Sequence, residues 1–259
     1  MKSQRTRRRP ARHRAHAVLN SDPVMRALIL AAGPYALRST PAESPFRALI
    51  HSIAHQQLHG TAAARILERF VGLYAPEPFP SPGAVLATPE ATLRAVGFSF
   101  AKIRALRDLA EKTLSGIVPP SAHLHELTDE AIVERLTQVR GVGPWTVHMM
   151  LMFQLGRPDV LPVDDFGVRN GFRLAYGLKG MPTARALSEY AQRWRPFRTM
   201  ASWYLWRAVE LHRLERLPRP AQSPRLAIQK TPRKRQRKAA ASLKPKKASR
   251  RSRRAHKSL

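Results

Sequence analysis

Helix start signals recur along the middle of the chain. Asp22, Ser44, Thr88 and Thr128 each precede an apolar run with three- and four-residue spacing, and Pro or acidic residues follow them. Such side chains accept hydrogen bonds from the unpaired N–H groups of a first helical turn, and Pro fits that turn because it has no N–H to leave unpaired. Alternating apolar and polar runs joined by a hairpin turn are not found. We therefore expect an all-α fold, a two-lobed bundle of about ten helices.

The basic charge is concentrated at the two ends of the chain. Its 259 residues include 46 Lys or Arg against 17 Asp or Glu, which gives a net charge of +29. Residues 1–14 hold seven basic residues and residues 218–259 hold sixteen, with no acid in either segment. Segments so poor in large apolar residues cannot offset the entropy cost of ordering. The sequence thus predicts a disordered basic arm (1–20), a helical domain (21–217) and a disordered Lys/Arg-rich tail (218–259).

This composition also limits partners and cofactors. The positive charge indicates a polyanion, and we expect double-stranded DNA. The absence of cysteine excludes disulfides, thiolate metal sites and Cys-ligated iron–sulfur clusters, and we expect no organic cofactor. No apolar run approaches the roughly 18 residues of a membrane span, so no membrane partner is expected. We expect a monomer in the cytoplasm, associated with the nucleoid; the Arg-rich N-terminus leaves an organelle or the nucleus open.

A short glycine-containing turn separates two apolar helical segments in LTQVRGVGPWT, Leu136 to Thr146. Glycine allows the positive φ of a tight turn and lets an anion approach the backbone, where N–H groups at the start of the next helix point at it. The stretch resembles the helix-hairpin-helix element of DNA repair proteins, and its Pro-Trp pair resembles the AlkA-type alkylbase DNA glycosylases. A plain tight connection is the alternative. The resemblance implies DNA contacts from Gly141, Val142, Gly143 and Thr146.

An acidic pair follows in DVLPVDDFGVRNGF, Asp159 to Phe172. A Gly/Pro-rich loop with an aspartate at this spacing is similar to the helix-hairpin-helix (HhH-GPD) glycosylase superfamily. The match assigns the catalytic role to Asp165 and a basic, DNA-contacting position to Arg169. A carboxylate there would stabilise the positive charge that builds on the sugar as an N-glycosidic bond breaks. We assign Asp164 a capping role; the alternative is that both acids only cap a helix.

Aromatic residues accompany these motifs. Trp145 stands where relatives that also cleave the DNA backbone carry a Schiff-base lysine, so the resemblance implies a glycosylase without lyase activity. An indole face attracts a cationic alkylpurine flipped out of the duplex. The implied pocket walls are Trp145, Trp206 and Met149, with Trp203 and Tyr204 nearby. Because aromatic residues at helical spacing also occur in plain cores, that alternative stays open for Trp206 and Trp203.

The resemblance implies two further sets of residues. The segment SIAHQQLHG resembles the turn that inserts into the duplex, where a side chain fills the space of the flipped base. Its candidates are Gln57, Leu58 and His59. Hairpin carbonyls in relatives bind a monovalent cation, Na⁺ or K⁺, and the matching carbonyls belong to Thr137, Val139 and Val142.

Over about residues 45–214 the chain resembles an AlkA-type 3-methyladenine DNA glycosylase II in a compact form without an N-terminal β-domain. The expected function is a monofunctional glycosylase of base excision repair that leaves an abasic site. Its expected substrates are 3-methyladenine and 7-methylguanine, with hypoxanthine or ethenoadenine as further candidates. Two alternatives stay open: a non-catalytic helix-hairpin-helix DNA-binding module, and a glycosylase for mispaired or deaminated bases.

Overall fold

The structure is a computed structural model that describes residues 13–40, 44–58, 60–220 and 224. Among these residues the regular elements are all helices and none is a strand, which confirms the all-α prediction. Three short helices of six residues each bring the number above the ten expected. The helices are α1 (residues 13–20), α2 (Pro23–Ala32), α3 (Pro45–His55), α4 (Gly60–Gly72), α5 (Pro82–Ala87), α6 (Glu90–Ala95), α7 (Phe100–Leu114), α8 (Ser121–Glu126), α9 (Asp129–Leu136), α10 (Pro144–Phe153), α11 (Phe166–Ala175), α12 (Ala184–Tyr190) and α13 (Arg198–Arg213), with a 3₁₀ turn at Ala191–Trp194. None of the described helices is long and apolar enough to span a membrane.

Most of the predicted start signals act as helix caps. Asp22, Ser44 and Thr128 accept backbone N–H bonds at the starts of α2, α3 and α9. A cap of this kind contributes about 1 kcal/mol. Thr88 behaves differently, because its hydroxyl donates to the Ala84 carbonyl and it ends α5 instead of starting α6.

The described helices pack around two hydrophobic cores. The first core is formed by α3 to α10, and Leu49, Phe70 and Phe98 are completely buried in it. The second core joins α1 and α2 to α11, α12 and α13, so the two ends of the helical region meet in one lobe. Trp206 of α13 packs against both cores. The junction of the two lobes therefore lies at this tryptophan.

The first helix corrects the predicted N-terminal boundary. Residues 13–20 are helical, and Ala15 and Leu19 are buried in the second core. The predicted arm over residues 1–20 is wrong for this stretch, because two apolar side chains four residues apart give one helix face that can be buried. Residues 1–12 lie outside the described residues, and so does the predicted tail except for 218–220 and 224.

A buried carboxylate ties the second lobe together. Asp22 is 3% exposed, and its Oδ2 accepts bonds from Tyr176 and Tyr190 hydroxyls and from the Trp194 indole, at 2.7, 3.2 and 3.2 Å. Burial and the nearby Asp22 charge raise the pKa of Tyr190 to about 12 and that of Tyr176 well above its ordinary value. The network links α2 to the end of α11 and to the α12 region.

Candidate active site and DNA-binding face

The turn between α9 and α10 is a compact hairpin. Val139 and Val142 are buried, and the Val142 N–H donates to the Val139 carbonyl at 3.0 Å. Gly141 has a φ of 77°, a conformation that favours glycine. Gly143 has an ordinary φ of −100° and provides no side chain to accept from the first N–H groups of α10. Those groups lie beside open space at Gly143, an arrangement that suits an anion.

Two tertiary hydrogen bonds fix the hairpin to its neighbours. The Asp108 carboxylate of α7 accepts the Arg140 N–H at 2.6 Å, and the Gln56 side-chain amide donates to the Gly141 carbonyl at 2.8 Å. Burial alone would raise the pKa of Asp108, but hydrogen bonds from Arg140 and from the Lys112 ammonium outweigh it and hold that pKa below its usual value. Asp108 therefore holds the turn as an ionised carboxylate.

Asp165 lies at the centre of a hydrogen-bonded cluster. It is the N-cap of α11, and its Oδ1 accepts the Val168 N–H at 2.7 Å. The same oxygen accepts the indole N–H of Trp206 at 2.8 Å, and Oδ2 accepts the indole N–H of Trp145 at 2.8 Å. The structure thus brings the predicted catalytic acid together with two of the predicted pocket walls. Three N–H donors fix the carboxylate in one orientation.

Trp206 has close neighbours that sequence reasoning missed. Its ring stacks on Phe153, with centroids 5.9 Å apart and 20° between the planes. A Cβ atom at Gly167 would lie 2.8 Å from Trp206 Cδ1, so a larger residue there would push the indole away from Asp165. No motif or spacing links these three positions in the sequence. Gly167 could be found only as an unexplained glycine in the first turn of a predicted helix.

The other predicted pocket residues divide between the site and the core. Trp145 is 46% exposed in the first turn of α10, and Met149 is half-buried against the first core. Trp203 instead packs edge-on against Tyr35, with ring centroids 5.3 Å apart, and Tyr204 is fully buried in the second core. The core alternative therefore holds for Trp203, and its neighbour Tyr204 is a core residue as well.

The described part of the predicted wedge, Gln57 and Leu58, lies in the turn between α3 and α4. Gln57 has a φ of 57°, which is rare for a residue with a side chain, and Leu58 is 40% exposed. Gln56, the preceding residue, is the one bonded to the hairpin at Gly141, so the wedge turn adjoins the hairpin. His59 lies outside the described residues.

Three residues differ from their predicted roles, which were DNA contact for two of them and helix capping for the third. Arg169 donates from Nε and Nη2 to the Pro182 carbonyl, at 3.2 and 2.6 Å, so it ties α11 to the loop before α12. The Thr146 side chain is buried, which leaves only its backbone N–H for a DNA contact. Asp164 is exposed and does not cap α11, because Asp165 occupies the capping position.

Comparison with known proteins identifies the family. The family model of the HhH-GPD superfamily base excision DNA repair proteins matches residues 50–196, which is more than half of the chain. The chain belongs to the HhH-GPD superfamily. Its hairpin at Gly141 to Gly143 and its acid at Asp165 both fall within the matched residues.

Two relatives from Schizosaccharomyces pombe show how similar this HhH-GPD chain is to curated members. DNA-3-methyladenine glycosylase 1 is 41% identical over 174 residues, which cover 67% of this chain and 76% of the relative. An alkylbase DNA glycosidase-like protein is 31% identical over 188 residues, with coverage of 72% and 88%. The similarity therefore extends over most of both relatives.

Solved structures of HhH-GPD relatives agree with this assignment. The S. pombe 3-methyladenine DNA glycosylase in complex with abasic DNA matches with a TM-score of 0.68 and 38% identity, over 76% of this chain and 97% of the relative. A DNA-3-methyladenine glycosidase from Bacillus halodurans matches with a TM-score of 0.68 and 32% identity, over 77% and 90%. The helical architecture described above is therefore that of the family.

The hairpin carbonyls fit the monovalent cation that the HhH-GPD resemblance implies. The Val139 carbonyl accepts the Val142 N–H, whereas those of Thr137 and Val142 accept no hydrogen bond from the described residues. Carbonyl oxygens without a protein donor are suitable ligands for Na⁺ or K⁺. No group of three or more His, Cys, Asp or Glu side chains among the described residues is arranged for a metal ion. Cation binding by these carbonyls stays a prediction.

Proposed function

We propose that this protein is a monofunctional DNA glycosylase that flips an alkylated purine out of duplex DNA and hydrolyses its N-glycosidic bond. The observation that carries the proposal is the Asp165 carboxylate, held by the indole N–H groups of Trp145 and Trp206. Relatives named DNA-3-methyladenine glycosylase support 3-methyladenine as a substrate. The proposal adds 7-methylguanine, with hypoxanthine and ethenoadenine as neutral bases to test.

Asp165 would act on the sugar. As the bond to the base breaks, positive charge develops around C1′, and a fixed carboxylate stabilises that charge and orients the attacking water. A single acid is sufficient when the base already carries a positive charge, because such a base leaves without being protonated. Trp145 occupies the position of the Schiff-base lysine of lyase relatives, so no amine is placed there to cut the strand.

The two tryptophans would also recognise the base. An indole ring attracts a cationic purine through its electron-rich face, and the exposed ring of Trp145 offers such a face beside Asp165. Trp206, backed by Phe153, would form a second, more buried wall. Recognition by charge extends to any cationic alkylpurine, which is why several substrates are proposed.

The hairpin and the wedge turn would hold the DNA. Backbone N–H groups at the start of α10 suit a phosphate, and Gln57 and Leu58 lie on the adjoining exposed turn. The resemblance to a glycosylase bound to abasic DNA supports this arrangement. We propose that the protein acts as a monomer on double-stranded DNA in the cytoplasm.

Base release from methylated duplex DNA tests the proposal. The purified protein is incubated with DNA treated with a methylating agent, free bases are resolved by chromatography, and strand breaks are scored before and after alkali. We expect free 3-methyladenine, and strand breaks only after alkali. Release of uracil or of a mispaired base from a duplex that contains it, without release of 3-methyladenine from the methylated DNA, would indicate the other lesion class. DNA binding without any released base would support the binding-module alternative.

A further inference from the structure

A small pocket lies between the wedge turn, the first turns of α7 and the hairpin. Its volume is about 230 Å³. That is smaller than the roughly 300–1,000 Å³ typical of sites for small organic ligands. The polar residues that line it are Gln56, Gln57, Ser99, Lys102, Arg104 and Arg140.

Hydrogen bonds fix the three walls of this pocket relative to one another. The Lys102 ammonium of α7 donates to the Ala54 carbonyl near the end of α3, at 2.7 Å. The Gln56 amide joins the wedge turn to the hairpin, and the Asp108 carboxylate joins the hairpin to α7. The pocket is therefore already formed without a ligand, and little ordering cost is added on binding.

The pocket is strongly cationic. Among the described residues, its lining includes Lys102, Arg104 and Arg140 and no acid. Arg104 and Arg140 are exposed, and neither guanidinium has a hydrogen bond or ion pair with a described residue. The Asp108 carboxylate already accepts hydrogen bonds from the Arg140 backbone N–H and from the Lys112 ammonium. Burial lowers the pKa of Lys102, an effect that a nearby anion would oppose.

We propose that this pocket binds a second DNA backbone phosphate, in addition to the phosphate at the start of α10. Guanidinium groups present several N–H donors in a fork that matches phosphate oxygens, and the sugar-phosphate backbone receives about half or more of protein–DNA hydrogen bonds. A stacked base is a poorer fit, because none of the described residues that line the pocket is aromatic. This phosphate site rests on the proposed function in one respect, namely that DNA is the ligand.

A second phosphate beside the wedge has a mechanical consequence. The same Gln56 that lines the pocket bonds to the hairpin, so both phosphate sites flank the turn that carries Gln57 and Leu58. Holding the backbone at two points fixes the local strand while one nucleotide rotates out of the stack. The pocket therefore binds the DNA backbone near the wedge turn and does not contribute to sequence specificity.

Salt-dependent binding of an undamaged duplex tests the proposal without requiring catalysis. Arg104→Ala and Arg140→Ala are each expected to weaken binding roughly tenfold at low salt. Each should also reduce the slope of log K against log salt by about one unit. Arg185→Ala is the matched control, because Arg185 is an exposed arginine of α12 paired with Glu189 and its loss changes net charge equally. Slopes for both pocket variants equal to that of Arg185→Ala would overturn the proposal.

Neutral phosphates then identify the contact. Duplexes in which one phosphate at a time is replaced by methylphosphonate are bound to wild type and to Arg104→Ala. At one position, replacing the phosphate should weaken DNA binding by wild type but should change binding by Arg104→Ala little, because the variant has already lost that contact. Additive losses at every position would mean that Arg104 contacts something other than a phosphate. Because undamaged DNA is used, failure here is separate from failure to release a base.

Discussion

At the residue scale, Trp206 connects the candidate catalytic carboxylate to the wall behind it. Its indole N–H reaches Asp165 at 2.8 Å while its ring stacks on Phe153. The ring and the N–H can be separated by substitution, because phenylalanine keeps an aromatic wall and removes the donor. The two contributions of Trp206 are therefore measurable.

We expect Trp206→Phe to slow base release roughly tenfold to a hundredfold, because a hydrogen bond to a charged group contributes about 1.5–3 kcal/mol. The measurement is the single-turnover rate on DNA containing 3-methyladenine, with protein in excess. Trp203→Phe is the control, since Trp203 packs on Tyr35 in the second lobe and not on Asp165. Equal rates for wild type and Trp206→Phe would remove the positioning role.

At the element scale, α11 and α13 approach each other closely at a glycine. A Cβ atom at Gly171 would lie 1.9 Å from the Leu205 carbonyl oxygen. Since this neighbour is backbone, it cannot rotate aside. The two helices that carry Asp165 and Trp206 are therefore held at a distance that only glycine permits.

We expect Gly171→Ala to lower the free energy of unfolding by about 3 kcal/mol or more, the upper range for overpacking. Urea unfolding followed by circular dichroism measures this loss. Gly83→Ala in α5 is the control, because its Cβ would have no neighbour closer than 4.0 Å and alanine favours a helix. A midpoint for Gly171→Ala as high as that of the control would contradict the packing described.

The Asp22 network gives the second lobe a dependence on alkaline pH. The folded-state pKa of Tyr190 is raised above its unfolded value of 10, to about 12, by burial and by Asp22. A raised pKa stabilises the fold fully below pH 10, and this contribution is lost as pH rises from 10 towards 12. We expect the urea midpoint to fall from pH 9 to pH 11, and to fall less in Tyr190→Phe. The same decrease in both proteins would show that Tyr190 is not responsible.

Helices were predictable from local signals, and long-range contacts were not. Asp22 and Ser44 act through the N–H groups two or three residues on, so the sequence alone indicates them. The bonds from Asp22 to Tyr190 and Trp194 span 168 and 172 positions, and no local pattern encodes them. The burial of α1 was not predicted, because its only buried apolar side chains, among the described residues, are Ala15 and Leu19 and they stand in a basic segment.

At the scale of the whole molecule, the candidate site lies where the two lobes meet. Trp145 lies in the first turn of α10, which contributes to the first core, and Asp165 caps α11, which contributes to the second. The resemblance pointed to Asp165, Trp145 and Trp206 separately; the fold places them within hydrogen-bonding distance. Gly167 and Phe153 complete the site only through the packing of the two lobes, which explains why motifs alone did not find them.

The basic C-terminal segment is expected to act on the whole molecule through charge. Deleting residues 225–259 should flatten the dependence of DNA affinity on salt, because each phosphate neutralised contributes about 0.9 to the slope. The control is a chain of equal length in which the Lys and Arg residues of this segment are replaced by Gln. Both should bind alike and retain base release at low salt. An unchanged slope after deletion would exclude a role for this segment in binding.

The central claim is that Asp165 is the catalytic acid, and one comparison tests it most directly. Single-turnover release of 3-methyladenine is measured for wild type, Asp165→Asn and Asp164→Asn. Asparagine is a good N-cap and can still accept the Val168 N–H, so Asp165→Asn should fold and bind DNA. We expect its rate to fall by on the order of a hundredfold to a thousandfold. The exposed neighbour Asp164→Asn should stay near wild type. A rate for Asp165→Asn equal to that of Asp164→Asn would contradict the account.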